Sequence, residues 1–138
     1  MATPTVTRRR PATGALRVLR ILGAGLLALM GWIHLDLWLA GYRTIDVIGP
    51  AFLLNAIAGF GLAVLLVVTP RPLLPWAAAV GALTALGTAC GLLLATTVGL
   101  FGFVESTAAD LWWESLWVEV AAVLVLGALA ALAARRRD

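Results

Sequence analysis

Four apolar runs account for most of this chain, and they limit its fold more than any other feature. They cover about 16–38, 47–68, 75–98 and 111–134. A helix needs roughly 20 apolar residues to cross ~30 Å of hydrocarbon. In lipid the backbone has no water to bond, so each run must satisfy its own N–H and C=O groups as a helix. Composition rules out the alternative of a soluble core. Of the 138 residues 62% are hydrophobic and 12% charged, whereas a soluble domain carries roughly 45–50% and 25%. The expected fold is one all-α domain, a four-helix transmembrane bundle. The connections are short, which makes sequence neighbours antiparallel and the order up-down-up-down.

The ends and breaks of the runs set the expected organisation. Residues 1–15 read as a disordered basic cytoplasmic tail with Arg8, Arg9 and Arg10 in a row, and 135–138 as a basic cytoplasmic end. A cleaved secretory signal is the competing reading of the first run. Its small-residue cleavage pattern fits badly on Trp38-Leu39-Ala40. Thr69-Pro70-Arg71-Pro72 separates the second run from the third, and Pro75 falls in a first helical turn, where its missing N–H costs nothing. Ser106, Thr107 and Asp110 are N-cap types ahead of the fourth run.

Nine of the ten arginines lie in the two termini, their adjoining helix starts and the middle connection; Arg43 is the exception. By the positive-inside rule both termini are cytoplasmic. This placement also argues against nucleic acid as a partner, despite the net charge of +3. Arginine without lysine, together with abundant alanine, reads as GC-rich codon bias. Trp38, Trp112, Trp113 and Trp117 near one face and Trp76 near the other read as interfacial anchors. The single cysteine, Cys90, allows no intrachain disulfide and no CxxC pair. That excludes the thiol chemistry of small four-helix quinone reductases, and Cys90 itself reads as a small core residue.

One polar layer stands out. Charge-free runs 21–33, 56–68 and 120–134 separate the cytoplasmic ends of their helices from His34, Asn55 and Glu119. At 1.5 Å per residue these runs span roughly 20 to 22 Å. All three side chains therefore fall at one depth, about 8–10 Å below the outer boundary. The same count in the third helix reaches Thr88 and Cys90. Stripes of largely small residues lead to the layer: Gly23, Leu27, Gly31 and His34; Ala51, Asn55, Gly59 and Ala63; Gly81, Thr84, Thr88 and Gly91; Ser115, Glu119, Val123 and Gly127. Small residues at such spacing let helices approach closely in lipid. An ionisable residue inside a membrane is costly, usually paired, and by default a functional candidate. His34 and Glu119 are expected to share a proton or an ion pair, with Asn55 as a hydrogen-bond partner. The plainer alternative is that the layer is glue between helices, about 0.6 kcal/mol per polar contact.

Other features weigh less. His34 and Asp36 form an H-x-D pattern, but residues two apart on a helix point to different faces. A structural zinc site also needs four ligands, so no metal and no other cofactor is expected. Asp36, Arg43 and Asp46 flank the first outer connection as solvated charges or as part of a vestibule. Glu105, Asp110 and Glu114 make the second outer connection acidic.

The stretches His34-Leu35-Asp36-Leu37-Trp38, Gly41-Tyr42-Arg43 and 48–55 resemble small four-helix integral membrane proteins of high-GC bacteria. The resemblance covers the first two helices. It implies a multi-pass protein of the bacterial cytoplasmic membrane and supplies no activity. Small multidrug transporters are similar in size, but they carry a glutamate in mid-first-helix where residues 24–30 here are wholly apolar. The leading expectation is a non-enzymatic accessory or assembly subunit in the lipid bilayer, packed on a larger membrane protein or as a homo-oligomer. A proton- or cation-coupled carrier using His34, Asn55, Glu119 and Thr88 is the first alternative. A membrane enzyme is the second, since an acid/base pair is present without an evident nucleophile.

Overall fold

The computed structural model describes residues 12–136; of the expected tail 1–15, residues 1–11 with Arg8, Arg9 and Arg10 lie outside them, as do the last two residues, while 12–15 are not a disordered tail but the start of a helix. The described chain is all helical, with four long helices: α1 Ala12–Ala40, α2 Ile48–Val68, α3 Leu74–Thr97 and α4 Trp112–Ala134. Each is long and apolar enough to cross a membrane. Short 3₁₀ turns at Tyr42–Thr44 and Arg71–Leu73 complete the first two connections. Helix α1 outruns its apolar segment at both ends. Its 29 residues rise about 43 Å, well beyond the ~30 Å of hydrocarbon.

The helices lie side by side in the order α2–α1–α4–α3, and α2 and α3 touch one another far less than the other neighbours do. Contacts ascend one helix as they descend the next. Arg20 meets Leu66 and Gly31 meets Gly59, while Gly23 meets Leu126 and His34 meets Glu119. Neighbouring helices α1 and α2, and α1 and α4, are therefore antiparallel. The half of the bundle near the termini is filled by Leu27, Leu66, Leu126 and Leu129, all essentially inaccessible. In lipid such packing gains van der Waals contact rather than hydrophobic transfer, because the surrounding solvent is equally apolar.

Glycine sets the tightest crossing. A Cβ at Gly59 would lie 2.7 Å from Gly31 Cα and 2.8 Å from Leu27 O. The backbones of α1 and α2 are thus in direct contact, which only hydrogen at both positions permits. The four small-residue stripes are placed unequally. Gly23, Leu27, Gly31 and His34 are all buried, as are Gly59 and Ala63, but Ala51 is exposed. On α4, Ser115 and Glu119 are buried, Val123 is half-buried and Gly127 is exposed. The buried line actually runs Trp112, Ser115, Glu119, Ala122, Leu126, Leu129 and Ala133. A strict step of four overshoots a 3.6-residue turn by about 40°, so three steps rotate a stripe off the contact face. Alternating steps of three and four keep it there.

The helix ends differ from expectation in two places. Ser106, Thr107 and Asp110 do not cap α4; the residue before that helix is Leu111, in left-handed backbone with φ 57° and no side-chain cap. Ser106 instead accepts from the Ala108 N–H within the connection. The arginine Arg20, read above only as a topology charge, closes the end of α2. Its guanidinium donates to Leu66 O and Val67 O at 2.7 Å each and also to Thr69 O. A cation among the last carbonyls of a helix satisfies groups that lack intrahelical partners and opposes the helix dipole. Arg20→Ala is expected to cost about 1.5–3 kcal/mol, the range for hydrogen bonds to charged groups. Arg17→Ala, on an exposed neighbour, should stay within about 0.5 kcal/mol. Thermal unfolding in lipid nanodiscs compares the two.

Candidate functional site

The end of the bundle away from the chain termini is built differently from the leucine-packed end. Here the sparse contact between α2 and α3 leaves a cavity of about 160 Å³, and His34, Asn55, Thr88 and Glu119 all stand on its wall. One side chain comes from each helix, so the layer expected from depth counting is gathered around one space.

His34 is held by its own helix. Its Nδ1 donates to Met30 O at 2.9 Å, one turn back, which leaves Nε2 turned towards α4. Phe52 of α2 packs against the imidazole at 5.0 Å between ring centroids. Glu119 is 1% exposed. Its Oε1 lies 4.0 Å from His34 Nε2, beyond ordinary hydrogen-bond reach. Its Oε2 is buried with no hydrogen-bond partner among the described residues. A neutral imidazole with Nδ1–H offers Nε2 as an acceptor, and a protonated carboxyl is a donor.

Asn55 does not bond to that pair. Its Nδ2 donates to Thr88 Oγ1 at 3.1 Å, and Thr88 Oγ1 donates in turn to Thr84 O at 2.9 Å. This corrects the expectation of Asn55 as the partner of Glu119: it bridges α2 to α3 across the open seam. Thr88 is reached through its own helix, where a mid-helix threonine commonly bonds the carbonyl four residues back. Ser115, one turn from Glu119, adds a hydroxyl to the same wall.

The mouth is closed by side chains from both connections. Tyr42 donates to Glu105 Oε2 at 2.6 Å, stacks on Phe52 at 4.7 Å and meets Phe103 edge-on at 5.9 Å. Glu105 is anchored through its N–H to Ala95 O. Its Oε1 accepts from the Ser106 N–H. The acid expected to be solvated is thus the receiving half of a latch between loops 63 residues apart, a separation no local pattern reveals. Trp112 is likewise buried rather than at a lipid interface, and its indole N–H donates to Thr96 Oγ1 at 3.0 Å. Two backbone features shape this mouth. Phe101 and Gly102, both at positive φ, make a tight two-residue turn between Leu100 and Phe103. Val47 has φ 64° and ψ −47° and spans an Asp46 O to Ile48 N–H bond of 2.7 Å. That is a γ-turn of the strained hand, unusual for a β-branched residue.

Burial and the bond to Glu105 hold the Tyr42 phenol well above its ordinary value of 10.0, with the Glu105 and Asp110 charges adding to the rise. A raised acid contributes stability in full below its unfolded value and loses it as pH rises above that value. The latch is therefore complete at neutral pH, and the Tyr42 contribution is lost in strong alkali. Tyr42→Phe should cost about 1.5–3 kcal/mol and speed amide hydrogen exchange in residues 99–111, and in this variant the alkaline decline should be smaller.

The remaining candidates fall elsewhere. Asp36, Arg43 and Asp46 are exposed and make no side-chain hydrogen bond or ion pair among the described residues. Asp36 borders a separate outer groove with Trp32, Trp113 and Glu114. Arg43 contributes through its backbone: a Cβ on Gly49 would lie 2.7 Å from Arg43 O. Cys90 is exposed on the outside of α3 and is not a core residue. No group of three or more His, Cys, Asp or Glu that could hold a metal occurs among the described residues. No family model, curated protein or solved structure matches this chain.

Proposed function

We propose that this integral membrane protein is a small carrier that binds a solute in the cavity between its helices and couples it to the proton shared by His34 and Glu119. The observation that carries this reading is the orphaned Oε2 of Glu119, buried on the wall of a cavity. Glue between helices works by satisfying polar groups, and a carboxyl left without a hydrogen bond in a low-dielectric core is costly. A group retained against that cost has a use that helix packing does not supply. In this reading both termini are cytoplasmic, the four helices alternate across a bacterial cytoplasmic membrane, and the cavity opens to the outer side. The nine arginines near the other end support that orientation.

The accessory-subunit reading has one observation of its own. Gly61, Gly87 and Gly127 are exposed with nothing against them, as faces awaiting another helix would be. It leaves Oε2 unexplained, so the carrier reading is preferred.

The test is whether Glu119 exchanges its proton. Infrared difference spectra of the protein in nanodiscs, taken between pH steps, should show a carboxylic-acid carbonyl band that comes and goes with pH and is missing from Glu119→Gln. Identical difference spectra for the two proteins would return the layer to structural glue.

A further inference from the structure

The lining of the cavity limits what can enter it. Three carboxylates border it: Glu119 at its base and Glu105 and Asp110 towards its mouth. Among the described residues no arginine borders it, and His34 is the sole basic side chain on the wall. The rings of Tyr42, Phe52, Phe103 and Trp112 share the wall with them. Acidic groups interleaved with aromatic faces recognise cations, through charge and through the ring quadrupole. An anion would meet the Glu105 and Asp110 carboxylates and gain only one histidine.

Size and polarity narrow the class. The volume of about 160 Å³ is close to that of an apolar cavity known to hold benzene, a ligand of about six non-hydrogen atoms. Most of the wall is apolar, which suits a cation with a short hydrocarbon body better than a bare metal ion needing several oxygen ligands. Acceptors share this wall: the Glu119 carboxyl, whose Oε1 lies 4.0 Å from His34 Nε2, the imidazole itself, and the Asn55 oxygen, which makes no side-chain hydrogen bond. An ammonium group carries up to three N–H donors to meet them.

From this wall we infer that the solute is a small primary organic ammonium ion of about six non-hydrogen atoms, bound at Glu119 in exchange for a proton. The inference rests on the carrier reading above. The charge balances in both states. Without ligand, Glu119 and His34 hold one proton between them and are neutral as a pair. With R–NH₃⁺ bound, Glu119 is a carboxylate and His34 is neutral, and the shared proton has left to solvent. The buried site thus carries no net charge at either step, which a low-dielectric setting requires. Few other groups bear on this titration. His34 faces Glu119 from α1, α2 and α3 offer only the neutral Asn55 and Thr88, and Glu105, Asp110 and Tyr42 lie at the mouth.

The experiment uses the full chain in nanodiscs and three probes of one shape: n-pentylammonium chloride, 1-pentanol and sodium pentanoate. Calorimetry in buffers of different ionisation enthalpy reads both affinity and protons released. Pentylammonium should bind at least about tenfold more tightly than pentanol, the return on one charge-assisted hydrogen bond, with close to one proton released per ion. Pentanoate should not bind. Glu119→Gln should lose at least about tenfold in pentylammonium affinity and all of the proton release, while Glu114→Gln, outside the cavity, should bind as wild type does. Pentanol binding as tightly as pentylammonium, or sodium chloride giving the same heat, overturns the inference. The probe comparison needs no variant and decides the matter even if Glu119→Gln folds poorly. If the infrared band of Glu119 responds to pH while pentylammonium does not bind, the carrier reading stands and the ammonium assignment falls. If the band is absent as well, both fall.

Discussion

Gly59→Ala should destabilise the protein by about 3 kcal/mol, the upper end for overpacking, because the added methyl lands on backbone that no rotamer change can move. The new Cβ would sit 2.7 Å from Gly31 Cα, 2.8 Å from Gly31 N and 2.8 Å from Leu27 O. All three atoms belong to the facing helix, so α1 and α2 must separate by a large part of an ångström. The separation would reach the site, since His34 stands one turn beyond Gly31 and its distance to Glu119 is set by how α1 lies in the bundle. Gly61→Ala is the control. Nothing lies within 4 Å of a Cβ there. On such a helix face alanine should be neutral or stabilising by up to about 1 kcal/mol. Thermal or denaturant unfolding in one lipid composition measures both. Equal effects at Gly59 and Gly61 would mean that the α1–α2 crossing is looser than described.

The second large effect concerns Glu119, where stability and function should move in opposite directions. Glu119→Leu removes the orphaned oxygen and replaces a buried acid by an apolar group of similar size. Relief of an unsatisfied buried polar atom is worth about 1–3 kcal/mol, so this variant should be more stable than wild type while its proton exchange disappears. His34→Ala should do the reverse to stability. It leaves Glu119 buried with nothing facing it, a change that costs about 3–5 kcal/mol when one member of a buried pair is lost. A stability gain at Glu119 is what a retained functional group predicts. If Glu119→Leu instead loses 2 kcal/mol or more, on the same scale, the carboxyl is holding the helices together and the glue reading gains.

Much of this protein is decided by the sequence alone, and the reason is lipid. A run of apolar residues long enough to cross hydrocarbon has one way to satisfy its backbone, so four runs mean four helices whatever else they touch. Depth is equally legible. A helix rises a constant 1.5 Å per residue, and counting from the charged ends therefore placed His34, Asn55, Thr88 and Glu119 on one level before any contact was known. Their common cavity follows from that level and from the faces that pack.

Rotation about each helix axis and pairing between helices belong to the tertiary structure. A rise per residue fixes height but leaves azimuth to the neighbours. Gly127 and Ala51 drifted off the buried face for that reason, and Cys90, two residues from Thr88, turned out to face outward. Pairing depends on which groups the packed helices bring within hydrogen-bond reach. Asn55 meets Thr88 and leaves Glu119 without a hydrogen bond; Tyr42 meets Glu105 across 63 residues; Arg20 meets the carbonyls ending α2. None of these partners is near in sequence, and the local pattern around each residue is unchanged whether the bond forms or not. Helix count, span and depth are properties of single segments in lipid. The cavity, its latch and the unpartnered carboxyl oxygen exist only once four segments share one space.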